Sequence, residues 1–160
     1  MNTHLDFCLA LHRAHASLQR KLDDELGLHH GINFDDFALL NLLAQADGGR
    51  VGIAELVRPM GQPQSAVLRQ LIVLEKIGLV VREGANRDRQ AVLRPAGRAL
   101  VNAARETADS LCTEAVESIT PAGLATVSEA LVTLARTTCH AQDRMSNPVN
   151  RPDATRPSAA

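Results

Sequence analysis

The sequence predicts a mainly α-helical protein with one small β-hairpin, and three observations support this fold class. Aromatic residues make up only 2% of the chain, while Ala and Leu are abundant, so the core is expected to be aliphatic and largely helical. Apolar residues recur at helical spacing along most of the chain, and one short stretch is β-prone instead. The length of 160 residues suits one domain with its own hydrophobic core.

The first helix is predicted over residues 4–27, where Gly27 is expected to end it. Its apolar stripe repeats at spacings of seven and four, and consists of Leu11, Leu18 and Leu22. Such a stripe offers more apolar face than one small domain covers. We therefore expect these three leucines to contact a second copy of the chain.

The second helix is predicted to begin near residue 34, where either Asn33 or Asp35 is suited to cap the first turn. Its apolar positions follow at spacings of three and four, and they are Phe37, Leu40, Leu43 and Ala44. The string Asp47-Gly48-Gly49 is expected to end this helix, because two consecutive glycines favour a turn.

Two short helices separated by a Pro/Gly turn come next. The first is expected to stop where Pro59 and Gly61 forbid continuation. The second is expected to have Pro63 as its first residue and to end at Gly78. The predicted buried positions of the two helices are Ile53, Leu56, Val57, Val67, Leu71, Leu74 and Ile77. This layout is typical of a helix-turn-helix.

A β-hairpin is predicted directly after these helices. Residues 79–82 form a short β-prone run, residues 83–88 a polar tip that contains Gly84, and residues 89–94 an apolar return strand. A hairpin in this position is typical of the wing that follows a helix-turn-helix. The wing and the preceding helices would then form one compact lobe.

Two further helices are predicted beyond Pro95, and Thr120-Pro121 offers a cap and a first position for the second of them. That last helix carries apolar residues at alternating spacings of three and four, typical of a seam that packs on a partner helix. The predicted dimerisation residues in this seam are Leu124, Val127, Leu131 and Leu134. Residues 146–160 are rich in Pro and Ala and are predicted to be disordered.

Charge is distributed unevenly along the chain. Between Arg50 and Arg98 nine basic residues stand against four acidic ones, a net charge of +5, although the whole chain has a formal charge of −1. The rest of the chain therefore carries −6. A basic centre within an acidic frame is expected of a protein that grips a polyanion with one face.

Several classes of protein are disfavoured by the sequence. No apolar run approaches the roughly 18 residues of a membrane span, and no basic cluster opens the chain, so we expect a cytoplasmic protein without a membrane partner. Cys8, Cys112 and Cys139 are too widely spaced for a disulfide framework or a zinc ribbon. Since no phosphate loop, nucleophile elbow or metal-ligand helix motif occurs, we expect neither an enzyme nor a cofactor or metal site.

Four strings in a fixed order resemble the MarR family of ligand-responsive regulators. They are Asn33-Phe34-Asp35-Asp36-Phe37-Ala38-Leu39-Leu40, Leu74-Glu75-Lys76-Ile77-Gly78-Leu79-Val80, Arg87-Asp88-Arg89 and Pro95-Ala96-Gly97-Arg98-Ala99-Leu100. The resemblance covers about residues 5–140. It implies a winged helix-turn-helix with a small β-hairpin wing, flanked by N- and C-terminal dimerisation helices. The implied domain spans residues 1–145, with a DNA-binding lobe at about 34–94 and dimerisation helices at 4–27 and 96–142.

The sequence departs from the family pattern at the wing and on the recognition helix. Gln90 stands where the family often has a second Arg after the Asp-Arg pair, and the return to Pro95 is about three residues shorter than usual. We therefore expect a clipped wing with an altered contact to the minor groove. Leu68 and Ile72 stand where polar residues are common. Base contacts are then expected to depend partly on apolar contact with thymine methyl groups.

The resemblance and the chemistry of base edges together select the expected DNA contacts. The amino-terminal end of a recognition helix reaches bases in the major groove, where Gln pairs with adenine and Arg with guanine. The alternative role for Arg69 is a contact to a phosphate, which positions the protein on the duplex without reading the sequence. Arginines at the wing tip are expected to enter the minor groove, oriented by Asp88. The expected DNA-binding residues are Gln62, Gln64, Ser65, Leu68, Arg69, Arg82, Arg87, Asp88 and Arg89.

The resemblance implies a repressor that binds a pseudo-palindromic operator as a homodimer and is released by a small phenolic or carboxylated effector. One alternative is a peroxide sensor, because the segment around Cys8 resembles the reactive-cysteine segment of the organic-hydroperoxide-sensing branch. Without any Tyr, only His4 or His12 is near enough to stabilise the thiolate, and a buried, inert Cys8 is the competing interpretation. Another alternative is a winged-helix module that binds proteins, which the apolar Leu68 and Ile72 would suit.

Overall fold

The helices and strands of the chain follow the predicted order. The structure is a computed structural model that describes residues 3–85 and 88–146, with side chains described as far as residue 137. It divides into two units, Met1–Ser118 and Ile119–Ala160. The elements are α1 Thr3–His30, α2 Phe34–Gln45, β1 Arg50–Gly52, α3 Ile53–Met60, α4 Gln64–Lys76, β2 Val80–Glu83, β3 Gln90–Leu93, α5 Pro95–Val116 and α6 Pro121–Ser146.

Helix α1 is longer than predicted, because it continues through Gly27 and ends at His30. A glycine inside a helix costs only about 1 kcal/mol, and the buried Leu22 and Leu26 anchor this part of α1 in the core. The chain leaves the helix at Gly31, which has a φ of 69°. A positive φ is unfavourable for any other residue, so Gly31 rather than Gly27 is the stop signal.

Asn33, one of the two predicted caps, caps the beginning of helix α2. The side chain of Asn33 accepts a hydrogen bond of 2.7 Å from the backbone N–H of Asp36, which satisfies one of the unpaired donors of the first turn. Asp35 lies inside the helix instead. The Asp47–Gly49 string that follows forms a short 3₁₀ turn, as its glycines predicted.

The predicted hairpin is confirmed, and it forms a sheet with a third strand that the sequence analysis missed. The strand order is β1-β3-β2 with both pairs antiparallel. Strand β1 has three residues, with Val51 opposite Ala91, which is too short for an alternating pattern to be recognised. At the hairpin tip Gly84 has a φ of 80°, and a Cβ there would lie 2.7 Å from the carbonyl oxygen of Asp88.

The core of the first unit is aliphatic, as the composition predicted. Three of the four predicted core positions of α4 are fully buried, and they are Val67, Leu71 and Leu74. Ile77 is the exception, with 59% of its surface exposed. It caps the end of α4, where the backbone leaves the helical path, so the prediction of a buried Ile77 is wrong.

The prediction that Leu22 contacts a second copy is also wrong. Leu22 has no exposed surface, because α1 packs it into the chain's own core. Leu18 is half-buried and packs against the same core. Leu11, nearer the amino terminus of α1, is also half-buried. The exposed apolar residues in the amino-terminal part of α1 are Leu5, Phe7 and Leu9, which lie outside the predicted stripe.

The second unit contains helix α6, which begins as predicted. The hydroxyl of Thr120 accepts a hydrogen bond of 3.2 Å from the backbone N–H of Gly123, so Thr120 caps the helix before Pro121. Leu124, Val127 and Leu131 are exposed and Leu134 is half-buried. Helix α6 includes Ser146, and the rest of the predicted disordered tail lies outside the described residues.

Length and apolar content decide whether a described helix could span a membrane. No single described helix is both long enough and apolar enough to cross a membrane, and only α5 and α6 taken as a broken pair meet the length and composition together.

Candidate nucleic-acid interface

Helix α4 has one face in the core and a polar face in solvent. Val67, Leu71 and Leu74 hold it against the rest of the first unit. Gln64 and Ser65 in its first turn are exposed, as is Arg69 one turn later. The amino-terminal half of α4 therefore displays the hydrogen-bonding groups that match base edges in a major groove.

Two predicted base readers on or beside α4 are less accessible. Gln62 is half-buried before the helix begins, and Leu68 is half-buried because it packs against the core. Ile72 has 36% of its surface exposed. If an apolar side chain of α4 contacts a thymine methyl group, Ile72 is therefore better placed for it than Leu68.

Arg82 is held by an ion pair that the sequence analysis did not foresee. Its Nε and Nη2 atoms lie 2.8 Å and 2.6 Å from Oε2 of Glu75, and its backbone N–H donates to Oε1 over 2.9 Å. The pKa of Glu75 lies below its ordinary value, because the backbone N–H of Arg82 and then its guanidinium donate to the carboxylate. Arg82 thus braces β2 against α4, and its charge is compensated within the chain.

The spacing of Glu75 and Arg82 was the one available signal for this ion pair. The two residues lie seven apart across the end of α4, on either side of Gly78. The sequence alone predicts a DNA contact for Arg82 and no partner for Glu75. The side-chain bonds to Glu75 instead favour a structural role for Arg82. The exposed basic side chains nearby are then the better candidates for contact with an anionic partner.

The wing tip displays charged side chains on an anchored backbone. Asp88 and Arg89 are exposed, and the carbonyl oxygen of Arg89 accepts a hydrogen bond of 3.0 Å from the backbone N–H of Ile53 at the start of α3. Arg87, the other predicted minor-groove residue, lies outside the described residues. The backbone bond fixes the position of Arg89 relative to the helix-turn-helix.

The other basic residues of the central segment divide into paired and unpaired groups. Arg50 lies 3.9 Å from Glu83, so it links the two outer strands of the sheet. Arg98 donates to the carbonyl oxygen of Ala44 over 3.4 Å. Among the described residues the basic side chains that are exposed and have no ion-pair partner include Arg58, Arg69, Lys76, Arg89 and Arg94.

A second candidate site is an open groove between α1 and α5, with a volume of about 530 Å³. The imidazole of His30 lies 2.9 Å from the hydroxyl oxygen of Thr107 and so links the two helices. His29 lies 3.4 Å from the carboxylate of Glu25. The groove is lined by Glu25, His29, His30, Thr107, Ser110 and Leu111, and its volume falls within the range of small-molecule sites.

Cys8 is the thiol on which the peroxide-sensor alternative depends. It is exposed on α1, so the interpretation of a buried Cys8 is wrong. None of the described residues hydrogen-bonds to its sulfur. His4 and His12, the predicted stabilisers, are exposed as well. Cys112 is half-buried in α5, where burial and then the charge of Asp109 raise its pKa. No group of three His, Cys, Asp or Glu residues suited to a metal ion occurs in the described part of the chain.

Solved structures of MarR-family transcriptional regulators superpose on the chain along most of its length. AbsC from Streptomyces coelicolor is 20% identical with a TM-score of 0.77, and the match covers 88% of this chain and 97% of AbsC. Sco3205 from the same organism, solved in complex with DNA, is 22% identical with a TM-score of 0.77 over 86% of this chain and 88% of Sco3205. The chain has the MarR fold.

A third MarR-family structure, CouR from Rhodococcus jostii RHA1 bound to p-coumaroyl-CoA, is 23% identical with a TM-score of 0.72, over 81% of this chain and 91% of CouR. NadR, another similar structure, was solved in complex with 4-hydroxyphenylacetate. Residues 37–84 match the sequence profile described as the IclR helix-turn-helix domain. This match covers α2 to β2, the MarR-fold segment in which the polar face of α4 lies. No curated protein sequence matches the chain.

Proposed function

We propose that the chain is a DNA-binding transcriptional regulator, without enzymatic activity, that reads its operator with α4. The observation that carries this proposal is the exposed row of Gln64, Ser65 and Arg69 on a helix whose opposite face is locked in the core. The net charge of +5 between Arg50 and Arg98 supports it, because phosphate contacts supply much of the affinity for DNA. Arg89 at the wing tip is assigned to the adjacent minor groove.

The proposed regulator acts as a homodimer. Leu5, Phe7 and Leu9 on α1 are exposed, as are Leu124, Val127 and Leu131 on α6, and apolar surface of this extent favours burial against a second copy. A two-fold dimer presents two α4 helices to successive major grooves. It would bind a pseudo-palindromic operator with half-sites roughly 10 bp apart.

The regulator is further proposed to be a repressor that a small phenolic or carboxylated effector releases from DNA. In support, CouR, which has the same fold, was solved bound to p-coumaroyl-CoA, and NadR was solved in complex with 4-hydroxyphenylacetate. The groove between α1 and α5 is a place for an effector in this chain. Its Glu25 carboxylate and its imidazoles offer hydrogen-bond acceptors, so a phenolic hydroxyl would suit the groove better than a carboxylate, which Glu25 would repel.

The test is selection of bound duplexes from a random DNA pool by the full chain. Enrichment of one pseudo-palindrome is expected for the wild type, and Arg69→Ala is expected to relax the preference at the base pairs it contacts. Gln45→Leu, at an exposed position at the end of α2, is the matched control and should select the same sequence as the wild type. Failure to enrich any sequence would contradict the proposal.

A protein-binding module is the second candidate function, and one observation favours it. Val73 and Ile77 near the end of α4 expose 54% and 59% of their surfaces, so α4 carries apolar surface beyond its polar half. Its exposed cations, Arg69 and Lys76, favour DNA instead. The same selection separates the two functions, because a protein-binding module would enrich no duplex.

A further inference from the structure

A line of hydrogen bonds runs from α1 into the first turn of α2. The carboxylate of Asp23 on α1 accepts a bond of 2.7 Å from the backbone N–H of Phe34, the first residue of α2. Asn33 accepts a bond of 2.7 Å from the backbone N–H of Asp36, one turn into the helix. The first of these bonds ties the beginning of α2 to α1, and the second caps α2 itself.

Asp36 carries this line to α4. Its Oδ1 atom accepts a hydrogen bond of 3.0 Å from Nε2 of Gln70, and both residues are half-buried. A hydrogen bond to an ionised carboxylate is about twice as strong as one between neutral groups. Asp36 and Gln70 line one groove of about 320 Å³ together with Arg69, a proposed base reader.

The amide oxygen of Gln70 indicates that this residue does not serve the stability of the fold alone. Its Oε1 atom is buried and has no hydrogen-bond partner among the described residues. A buried amide oxygen without a partner costs free energy, whereas an apolar side chain at this position would avoid that cost. What Gln70 gains is a directed bond to Asp36.

We propose that Asp36 and Gln70 are a positioning pair that sets the rotation of α4 on the lobe, and that Asp23 anchors the α2 end of this pair to α1. The inference rests on the proposed DNA binding. A side chain that reads a base must be held to within about 0.5 Å and 10–20°, and Arg69 directly precedes Gln70 on the same helix.

Operator affinity tests the pair, measured on the selected duplex and on a scrambled one. Gln70→Leu is expected to bind the operator about tenfold more weakly, as loss of one charge-assisted bond implies, with unchanged affinity for the scrambled duplex and an unchanged or higher Tm. Asp36→Asn keeps an acceptor for Gln70 and should bind the operator within about threefold of the wild type. The double variant Asp36→Ala, Gln70→Leu should lose no more specificity than Gln70→Leu alone, because coupled residues are non-additive.

Hydrogen exchange of the free protein supplies a readout that does not depend on DNA. Gln70→Leu is expected to speed exchange of the α4 backbone amides and to leave α5 unchanged, while the same substitution at exposed Gln45 should change neither. Equal operator affinity and equal α4 exchange in Gln70→Leu and the wild type would overturn the inference. Faster α4 exchange in a protein that selects no duplex would support the positioning pair and refute the proposed function instead.

Discussion

Single side chains in this protein take roles that their sequence positions alone did not reveal. Arg82 has the charge and the place of a DNA contact, but Glu75 holds its guanidinium at 2.6 Å and 2.8 Å. Leu22 has the spacing of a dimer contact, but it is fully buried in the chain's own core. In both cases the deciding partner comes from another element, which a local pattern does not specify.

Replacement of Glu75 by Gln is expected to destabilise the fold by about 1 kcal/mol at neutral pH, since a partly exposed charged hydrogen-bond pair is lost. The pKa of Glu75 is lowered in the folded state, so its stabilisation is complete above the unfolded pKa of about 4.3. It is lost as the pH falls through the lower folded value. Urea denaturation at pH 7 and at acidic pH measures both effects.

The ion pair of Glu83 and Arg50 provides the matched control. Its atoms are 3.9 Å apart and both side chains are more than half exposed, so Glu83→Gln should change the unfolding free energy by less than about 0.5 kcal/mol. If Glu83→Gln costs as much as Glu75→Gln, the special role of the Arg82 brace is refuted.

Cys8 is expected to be dispensable for regulation, because no described residue hydrogen-bonds to its sulfur. Operator binding should therefore survive treatment with cumene hydroperoxide, and Cys8→Ser should bind as tightly as the wild type. Electrophoretic mobility shifts before and after oxidation measure this. Oxidative release that the Cys8→Ser substitution abolishes would establish the peroxide-sensor alternative.

At the level of helices and strands, much of the fold was predictable because its signals are local. The caps Asn33 and Thr120, the hairpin and the apolar spacing of α4 all lie within a few residues of the structure that they specify. Strand β1 was missed because three residues carry no period, and its pairing with β3 joins segments about 40 residues apart. The predicted end of α1 at Gly27 was wrong because burial of Leu22 and Leu26 stabilises the helix by more than the glycine destabilises it.

The packing of α5 on the sheet depends on the absence of a side chain at Gly97. A Cβ at this position would overlap the carbonyl oxygen of Leu79 and approach a methyl group of Leu93 to 2.7 Å. Gly97→Ala is therefore expected to destabilise the protein by about 1–3 kcal/mol, as overpacking of a core does. Thermal unfolding followed by circular dichroism measures the loss.

Gly27→Ala is the matched control for this prediction. Gly27 lies within α1, and a Cβ there would meet no atom within 4 Å. The substitution should stabilise the protein by about 0.5–1 kcal/mol, because Ala favours a helix more than Gly does. Destabilisation by both substitutions to a similar degree would contradict the packing of α5 described here.

For the molecule as a whole, the charge distribution was predictable from the sequence, whereas the location of the exposed apolar residues was not. The basic centre is found by counting charged residues along the sequence, but the exposure of an apolar residue depends on how its helix packs. In α1, Leu22 is buried in the core, whereas Leu5, Phe7 and Leu9 are exposed. The candidate site was predictable only in part for the same reason. Gln64, Ser65 and Arg69 are exposed as base reading requires, while Asp36 and Gln70 are 34 residues apart and form no local signal.

Sedimentation equilibrium is expected to show a dimer at micromolar concentration, since the apolar residues of α1 and α6 are exposed in one chain. Val127→Asp should shift the equilibrium towards the monomer, because a charge in an apolar interface is costly to bury. Exposed Ser128 is the neighbouring control position, and Ser128→Asp should shift the equilibrium less. A wild-type monomer at micromolar concentration would rule out the proposed dimer.

Fluorescence anisotropy with the selected duplex and a scrambled one, across a salt series, tests the regulator proposal most directly. The wild type is expected to prefer the selected duplex, and log affinity should fall with log salt by about 0.9 for each phosphate neutralised. Lys76→Ala should reduce this slope by about one if Lys76 contacts a phosphate, while Arg69→Ala should chiefly reduce the preference between duplexes. Equal affinity for both duplexes, or no binding at low salt, would contradict the assignment of α4 as a DNA-reading helix.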